Sequence, residues 1–304
     1  PVLRAFAFRS LDLKEYDLII SSSSAEAKSI NKRNDALHIC YCHTPTRYFW
    51  SHYEEFKNEF NFGVMTFIIR PFIPLLVRWM RRKDLGAVKD VDIFIANSNV
   101  TKDRIKKYYN RNSVVIHPPV NTNKFIKKID IERDGYIIWG RHVPYKRFDL
   151  AIDACNTLAK KLTVVGSGPD TERLKEIAGP TIRFTGRISD EKLVTLAHNA
   201  KAFIFPNEED FGIASVEALA AGLPVVAYKK GGALDIIEDS ISGVFFERQT
   251  IRDIADAMKK IDQIDFSYNT LVQRSKRFDE KLFETKMQKF INDAVQLHRS
   301  KEHR

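Results

Sequence analysis

The sequence predicts an α/β protein built from two domains, each with a parallel β-sheet. Its 304 residues exceed the usual size of one domain, roughly 100–200 residues, and are enough for two hydrophobic cores. Short β-branched or aromatic runs alternate with longer amphipathic segments, which is typical of parallel sheets covered by helices. A turn-rich segment at 117–124 interrupts this alternation. We therefore expect an N-terminal domain over 1–128 and a C-terminal domain over 129–304.

The strands are predicted from runs of β-branched and aromatic residues that turn formers bound. Three runs lie in the first domain and six in the second: 18–20, 38–41, 92–96, 136–139, 162–165, 182–185, 202–205, 224–228 and 243–246. Polar loops follow these runs, at the carboxyl ends of strands where open α/β sheets bind ligands. Near the end of the chain, apolar residues at helical spacing predict a helix that crosses back to the first domain: Phe283, Met287, Phe290, Ile291 and Val295.

The composition disfavours several classes of protein. With 44% hydrophobic and 29% charged residues, it disfavours both a globally disordered chain and an integral membrane protein. A formal net charge of +10 favours anionic partners such as nucleotides, phosphorylated lipids or nucleic acid. Cys40, Cys42 and Cys155 lack the spacing of a disulfide framework, which favours a reducing, cytoplasmic location. Cys40 and Cys42 lie in an apolar run, where we expect them to pack as small hydrophobic residues rather than bind a metal.

The segment 65–83 combines apolar residues with several cationic side chains. Pro71 and Pro74 interrupt it, and it is too short for a membrane-spanning helix, which needs about 20 apolar residues. One interpretation is a helix buried against its own domain with a solvated basic end. The alternative is a basic amphipathic segment that lies on an anionic membrane surface, at the inner face of the plasma membrane.

Two carboxylates flank a predicted helix start in the second domain. A strand ends near Pro206, an acidic turn follows, and Gly212 precedes a helix expected over 213–221. Glu209 lies before this helix and Glu217 one turn beyond its start, so both side chains can reach one cleft. Backbone N–H groups at a helix start suit a phosphate, and carboxylates accept hydrogen bonds from sugar hydroxyls. The alternative interpretation is a pair of ordinary solvated or capping carboxylates.

The run 205–226 resembles the Glu-x7-Glu motif of retaining nucleotide-sugar glycosyltransferases of family 4. The resemblance implies two Rossmann-like domains that face each other across a cleft, the GT-B architecture. It also implies that Glu209 is a catalytic residue and that Glu217 binds the ribose of the donor. We expect the residues between the two carboxylates to contact the donor as well: Phe211, Gly212 and Ile213.

The turn after the strand at 136–139 resembles the one that opens the donor domain of that family. The resemblance implies that Arg141 and Lys146 contact the donor diphosphate. Two cations would stabilise the negative charge that a nucleoside diphosphate develops as it leaves, so neither a metal nor another cofactor is expected. Taken alone, the two residues could be solvated surface cations.

Two further glycine-containing turns follow in the order of the family. The resemblance implies that Gly166 and Gly168 approach the nucleotide, and that Gly186, Arg187 and Ile188 face its base. Gly166 and Gly168 alone are not a dinucleotide fingerprint, because the third glycine is missing.

The N-terminal half, at 16–28 and 38–50, is similar to the acceptor domain of bacterial mannosyltransferases of surface-polysaccharide synthesis. His43 ends an apolar strand, and the resemblance implies that it reaches the donor hexose and supports the transition state. The alternative is a histidine satisfied by backbone groups. Family members begin with an additional strand and a Gly-rich turn, so we expect the acceptor domain of this sequence to be incomplete.

The implied activity is retaining, metal-independent transfer of a hexose to a hydroxyl of a lipid-linked glycan, in polysaccharide or O-antigen synthesis. The expected donor is GDP-mannose, used as a substrate. Two alternatives stay open: a nucleotide-sugar epimerase of the same fold and, from the basic charge, a nucleic-acid-binding protein. The acidic loop 208–210 at the ligand edge disfavours the second alternative, since it would repel a phosphate backbone.

Overall fold

A computed structural model describes residues 2–47, 49–51, 53, 72–126 and 132–302. The chain divides into two compact units, residues 1–117 with 285–304 and residues 118–284. The boundary expected from the sequence, at 128/129, lies further along the chain. The segment from Pro118 joins the second unit because the amide of Val120 donates to the carbonyl of Phe278 (2.9 Å) and Val120 forms a parallel β-bridge with Asp279.

The described part of the first unit contains a parallel sheet of four strands. They are β1 (Leu18–Ser23), β2 (Leu37–Cys42), β3 (Ile93–Ala96) and β4 (Ser113–Val115), in the spatial order β1-β2-β3-β4. All of β2 is buried, as expected for a strand covered on both faces. Strand β4 was not predicted from the sequence, because it has only three residues and Val114 is exposed.

Among the described residues, the helices of this unit that precede the second unit are α1 (Val2–Arg9), α2 (Ile73–Lys89) and α3 (Asn99–Tyr109). Helix α2 packs Ile73 and Val77 against Phe49 and exposes its opposite face. Helix α2 contains most of the basic segment 65–83. Residues 65–71 of that segment lie outside the described residues.

The second unit contains a larger parallel sheet, and the six strands predicted for it are all present among the described residues. They are β5 (Tyr136–Trp139), β6 (Leu162–Val165), β7 (Ile182–Gly186), β8 (Ala202–Phe205), β9 (Val225–Tyr228) and β10 (Gly243–Phe246). Their spatial order is β10-β9-β8-β5-β6-β7. Strands β5, β8 and β9 are buried along their whole length, so the core of the unit lies on both faces of the sheet.

Helices alternate with these strands: α4 (Phe148–Thr157), α5 (Thr171–Glu176), α6 (Asp190–Asn199), α7 (Ile213–Ala220), α8 (Ala233–Ile236), α9 (Ile251–Ile261) and α10 (Tyr268–Ser275). Helix α7 begins where the sequence predicts and ends one residue earlier. Its side chains are mostly small and apolar, which lets it pack closely on the central strands.

The last helix, α11 (Glu280–Glu302), begins in the second unit and groups with the first from Thr285 onward. Its start is held by Asp279, whose carboxylate accepts a hydrogen bond from the hydroxyl of Thr122 (2.6 Å). Near its end, Nε2 of His298 donates to the carbonyl of Asp35 (2.7 Å). The two ends of this helix are therefore tied to different parts of the sequence.

Candidate functional site

The topology of the second sheet marks one crevice as the expected ligand site. The chain passes from β5 through β6 and β7 on one side and then returns to β8 on the other side of β5. Open α/β sheets bind ligands at such a switch point, outside the carboxyl ends of the strands. Strands β5 and β8 are paired in parallel and end at Trp139 and Phe205. The segments 140–147 and 206–212 follow them at this crevice.

An ion pair joins these two segments. Nζ of Lys146 lies 3.0 Å from Oε1 of Glu209, and each side chain is 20% exposed. The same carboxylate oxygen accepts a hydrogen bond from the side-chain amide of Asn207 (3.1 Å), which is buried. Gly140 leaves room for the lysine, because a Cβ there would lie 3.2 Å from Nζ and the glycine has φ +146°. The structure therefore brings two predicted site residues into direct contact.

Arg141 follows Gly140 on the same turn, and its side chain is exposed. Among the described residues it forms no ion pair and no side-chain hydrogen bond. An exposed guanidinium at the carboxyl end of a central strand can bind a phosphate in a bidentate manner.

Glu217 points its carboxylate towards the end of β5. The indole Nε1 of Trp139 donates a hydrogen bond to its Oε2 (3.1 Å). Burial raises the pKa of Glu217 above its ordinary value, and the indole N–H opposes this shift. Lys124 also lowers this pKa and Asp190 raises it, and these two residues pair with each other at 2.5 Å. The carboxylate is thus partly buried, held on one side, and able to accept further hydrogen bonds from hydroxyls.

Gly166 and Gly168 are required by a close contact between the turns after β5 and β6. A Cβ on Gly166 would lie 2.0 Å from the carbonyl oxygen of Gly140, and one on Gly168 would lie 2.1 Å from that of His142. His142 is fully buried, and its Nδ1 lies 2.9 Å from the hydroxyl of Thr171. Burial lowers the pKa of His142, which favours the neutral form of its ring. The approach of both glycines to the nucleotide stays a prediction.

The turn at the end of β7 carries three further predicted residues. Gly186 has φ +68° with open space around a Cβ, so its backbone conformation rather than crowding requires glycine. Arg187 is exposed and donates from Nε to the hydroxyl of Ser167 (2.9 Å). Ile188 packs partly against the core. Their contact with a base stays a prediction.

The three residues between the carboxylates differ in environment. The ring of Phe211 is buried and lies edge-on to Phe278, with 5.4 Å between ring centroids. Gly212 has φ +103°, and a Cβ there would lie 2.9 Å from the ring of Phe205. Ile213 is 47% exposed at the start of α7. Of the two side chains in this stretch, that of Phe211 is buried and that of Ile213 is exposed to solvent.

His43 belongs to the first unit and follows β2 directly. Its Nε2 lies 2.8 Å from the hydroxyl of Ser22, and its ring lies edge-on to Tyr41 at 5.2 Å. Its amide donates to the carbonyl of Ser23 (2.9 Å), and its carbonyl accepts from the hydroxyl of Thr101 (3.1 Å). The ring is therefore oriented by a side-chain hydroxyl at the carboxyl end of the sheet.

Three contacting residues were not selected from the sequence. Asn207 lies inside the motif run and could have been found there as a polar residue directly after a buried strand. Trp139 has the sequence context of an ordinary strand residue, and Ser22 lies in a serine tract without a motif, so neither could have been selected. Within the described ranges, no three His, Cys, Asp or Glu side chains are grouped closely enough to hold a metal ion.

Comparison with known proteins matches the second unit to a family of enzymes. The family model described as "Glycosyl transferases group 1" matches residues 119–278, more than half of the chain. A GDP-mannose-dependent alpha-(1-6)-phosphatidylinositol monomannoside mannosyltransferase of Mycobacterium tuberculosis is 29% identical over 150 residues, covering 43% of this chain and 38% of the relative. A D-inositol 3-phosphate glycosyltransferase of Nocardioides sp. is 25% identical over 217 residues, covering 59% and 47%. The chain spans about half the length of the curated relatives it matches.

Solved structures share the fold at low identity. Sucrose-phosphate synthase from Thermosynechococcus elongatus superposes with a TM-score of 0.67 at 18% identity, covering 85% of this chain and 74% of that chain. The apo form of the lipopolysaccharide outer core galactosyltransferase WaaB superposes with a TM-score of 0.61 at 15% identity, covering 91% and 99%. The predicted fold class, α/β with two Rossmann-like domains, is confirmed.

Proposed function

This chain belongs to the glycosyl transferases group 1 family, and we propose that it transfers a hexose from a nucleotide-sugar donor to a hydroxyl group of an acceptor. The main structural support for this proposal is the ion pair of Lys146 and Glu209, which lies on the turns that follow the two central strands. We further propose that the donor is GDP-mannose and the acceptor a lipid-linked glycan in polysaccharide or O-antigen synthesis. The name of the M. tuberculosis relative, a GDP-mannose-dependent mannosyltransferase, supports the choice of donor.

The cations of this site hold the diphosphate. An arriving phosphate competes with Glu209 for Lys146, while Arg141 contacts the same group from its exposed position. As the bond between the hexose C1 and the phosphate oxygen breaks, negative charge grows on the diphosphate. Two fixed cations stabilise that charge more in the transition state than in the ground state, and this difference accelerates the reaction. In this proposal they do so without a metal ion.

The carboxylates hold the sugars. Once Lys146 turns to phosphate, Glu209 is free to accept hydrogen bonds from the hexose, with Asn207 keeping it in place. Glu217 accepts from the ribose hydroxyls. His43 supports the hexose as its bond breaks, with its ring oriented by Ser22.

Retention follows if the acceptor attacks C1 from the face that the diphosphate leaves. The acceptor oxygen forms the new bond to C1, the old bond to the phosphate oxygen breaks, and the acceptor proton passes to the leaving diphosphate. The products are a glycosylated acceptor and GDP. A carboxylate nucleophile is not required on this route.

The donor is tested with GDP-mannose, UDP-glucose and ADP-glucose, each labelled in the hexose and incubated with or without a lipid extract that contains glycan acceptors. We expect label in the lipid fraction from GDP-mannose alone, and GDP release only when the acceptor is present. Conversion of the donor into an epimeric nucleotide sugar without acceptor would favour the epimerase. Label from UDP-glucose instead would overturn the proposed donor while retaining transfer.

We also propose that the enzyme works on the cytoplasmic side of the plasma membrane, on its anionic surface. The exposed face of α2 supports this, because it carries Leu75 (69% exposed) and Trp79 (43% exposed) beside the exposed Arg78 and Arg82. Such a face binds anionic lipids through apolar insertion and charge attraction. No helix in the described ranges is long and apolar enough to cross a bilayer.

Sedimentation with vesicles containing phosphatidylserine tests this part. Arg78→Glu with Arg82→Glu should abolish binding, and raised salt should release the wild type. Arg81 is left unchanged, because it packs over Trp50 and donates to the carbonyl of Phe49. Lys102→Glu, an exposed position on α3, is the matched control. Unchanged sedimentation of the double variant would favour a solvated basic face.

A further inference from the structure

We infer that Trp139 is a positioning residue for nucleotide binding: its indole N–H holds one oxygen of Glu217 so that the other is presented to the ribose. The inference rests on the proposed function, in which Glu217 binds that sugar. Its basis is the 3.1 Å contact between Nε1 and Oε2.

The indole is itself firmly placed. Trp139 is the last residue of β5, is buried, and packs its ring against Phe203 with 4.1 Å between ring centroids. The next residue along the chain is Gly140, and Arg141 follows. The proposed phosphate cation, Arg141, and the indole that orients the ribose carboxylate are therefore two residues apart along the chain.

The hydrogen bond also favours the charged form of the carboxylate. A neutral carboxyl group would donate one hydrogen bond, whereas binding two neighbouring ribose hydroxyls requires acceptors. Burial raises the pKa of Glu217, and the Trp139 N–H, which can only donate, counteracts this. The charged groups of the adjoining elements, Lys124 and Asp190, act in opposite directions and are paired with each other. The indole is thus the neutral donor that favours the binding form.

The test uses Trp139→Phe, which keeps an aromatic ring and removes the N–H. Guanosine and GDP binding are measured by calorimetry from pH 5 to pH 8. We expect about tenfold weaker guanosine binding, because a hydrogen bond to a charged group is lost. We also expect binding to fall off at a higher pH than in the wild type. Trp50→Phe removes an indole N–H that donates to Asp84 in the first unit, and should leave guanosine binding and its pH profile unchanged.

A double-mutant cycle separates positioning from packing. In a Glu217→Gln background, Trp139→Phe should have little further effect on guanosine affinity, because the charge that it orients is already gone. An equal loss in both backgrounds would mean that the ring acts through packing, and the inference would be wrong. If Glu217→Gln alone leaves guanosine affinity unchanged, the ribose assignment of the proposed function fails instead. If Glu217→Gln weakens binding and Trp139→Phe does not, only the inference is overturned.

Discussion

Each unit of the molecule has a carboxylate that accepts a hydrogen bond from an indole N–H, and the two differ in what else surrounds them. In the first unit Trp50 donates to Asp84 (2.8 Å), and in the second Trp139 donates to Glu217 (3.1 Å). Asp84 also receives the ammonium of Lys28 at 2.6 Å. Among the described residues, Glu217 has the indole as its one hydrogen-bond donor.

The contacts of Asp84 indicate that it stabilises the fold of the first unit. Besides Trp50 and Lys28, it accepts from the hydroxyls of Tyr109 (2.9 Å) and Thr46 (3.3 Å). These partners come from the loop after β2, from α3 and from the turn after β1, so one carboxylate joins three segments to α2. Its accepting capacity is filled from within the chain. Glu217 differs from Asp84 in its unfilled accepting capacity rather than in being buried, and this is the capacity that the proposed ribose contact needs.

The largest expected effect concerns stability. Asp84→Asn leaves the ammonium of Lys28 buried without its counter-charge and should lower the free energy of unfolding by about 3–5 kcal/mol. The matched change Glu217→Gln should leave this free energy unchanged or slightly raised, since burial already disfavours the charge there. Chemical denaturation followed by circular dichroism measures both. Equal destabilisation would remove the distinction between the two carboxylates.

The second prediction concerns Lys146 and Arg141, the two cations that are proposed to bind the donor diphosphate. Lys146→Ala should weaken GDP binding by about 1.5–3 kcal/mol and guanosine binding far less, because a charge-assisted phosphate contact is lost. Arg141→Ala should act in the same way. The partly exposed pair of Lys146 with Glu209 contributes at most about 1 kcal/mol to stability.

Arg147→Ala is the control for Lys146→Ala in calorimetry, because the neighbouring Arg147 is already paired with Asp149 at 3.2 Å. It should bind GDP nearly as the wild type does. Equal losses for GDP and guanosine in Lys146→Ala would contradict the diphosphate assignment.

A smaller effect should appear in the pH dependence of stability. The pKa of Glu217 is raised in the folded state. Between the ordinary glutamate pKa and this raised value, the native chain therefore binds more protons than the unfolded chain. Stability must then fall as pH rises through that window. Glu217→Gln removes this contribution, and its unfolding free energy should rise relative to the wild type between the two values. Denaturation curves from pH 4 to pH 7 measure the difference, and a constant difference would argue against a raised pKa.

The smallest expected effect is that of a chelator. Because Arg141 and Lys146 are proposed to neutralise the leaving diphosphate, hexose transfer should continue in excess EDTA. The rate of label incorporation into the lipid fraction measures this. Complete loss that magnesium or manganese restores would show that the two cations do not suffice.

The sequence predicts those features whose signals are local. The six strands of the second sheet follow from compact apolar runs such as 202–205, and the placement of Glu209 and Glu217 follows from a continuous motif. The two indole contacts could not be predicted, because they join residues 34 and 78 positions apart and depend on how the strands are ordered in space. Strand β4 was not predicted although its signal would be local. It has only three residues, one of them an exposed valine, which is too short for a recognisable hydrophobic pattern.

The contact between the turns after β5 and β6 has a consequence for how this site changes in evolution. Neither Gly166 nor Gly168 can gain a side chain without displacing the backbone of the opposite turn, which lies 2.0 and 2.1 Å from the positions of their missing Cβ atoms. A substitution at either glycine therefore requires a change in the backbone of the opposite turn as well. Arg187 and Ile213, whose side chains reach solvent, carry no such backbone constraint. We expect lineages that acquire a new donor to differ first at these exposed positions, while the paired turns persist.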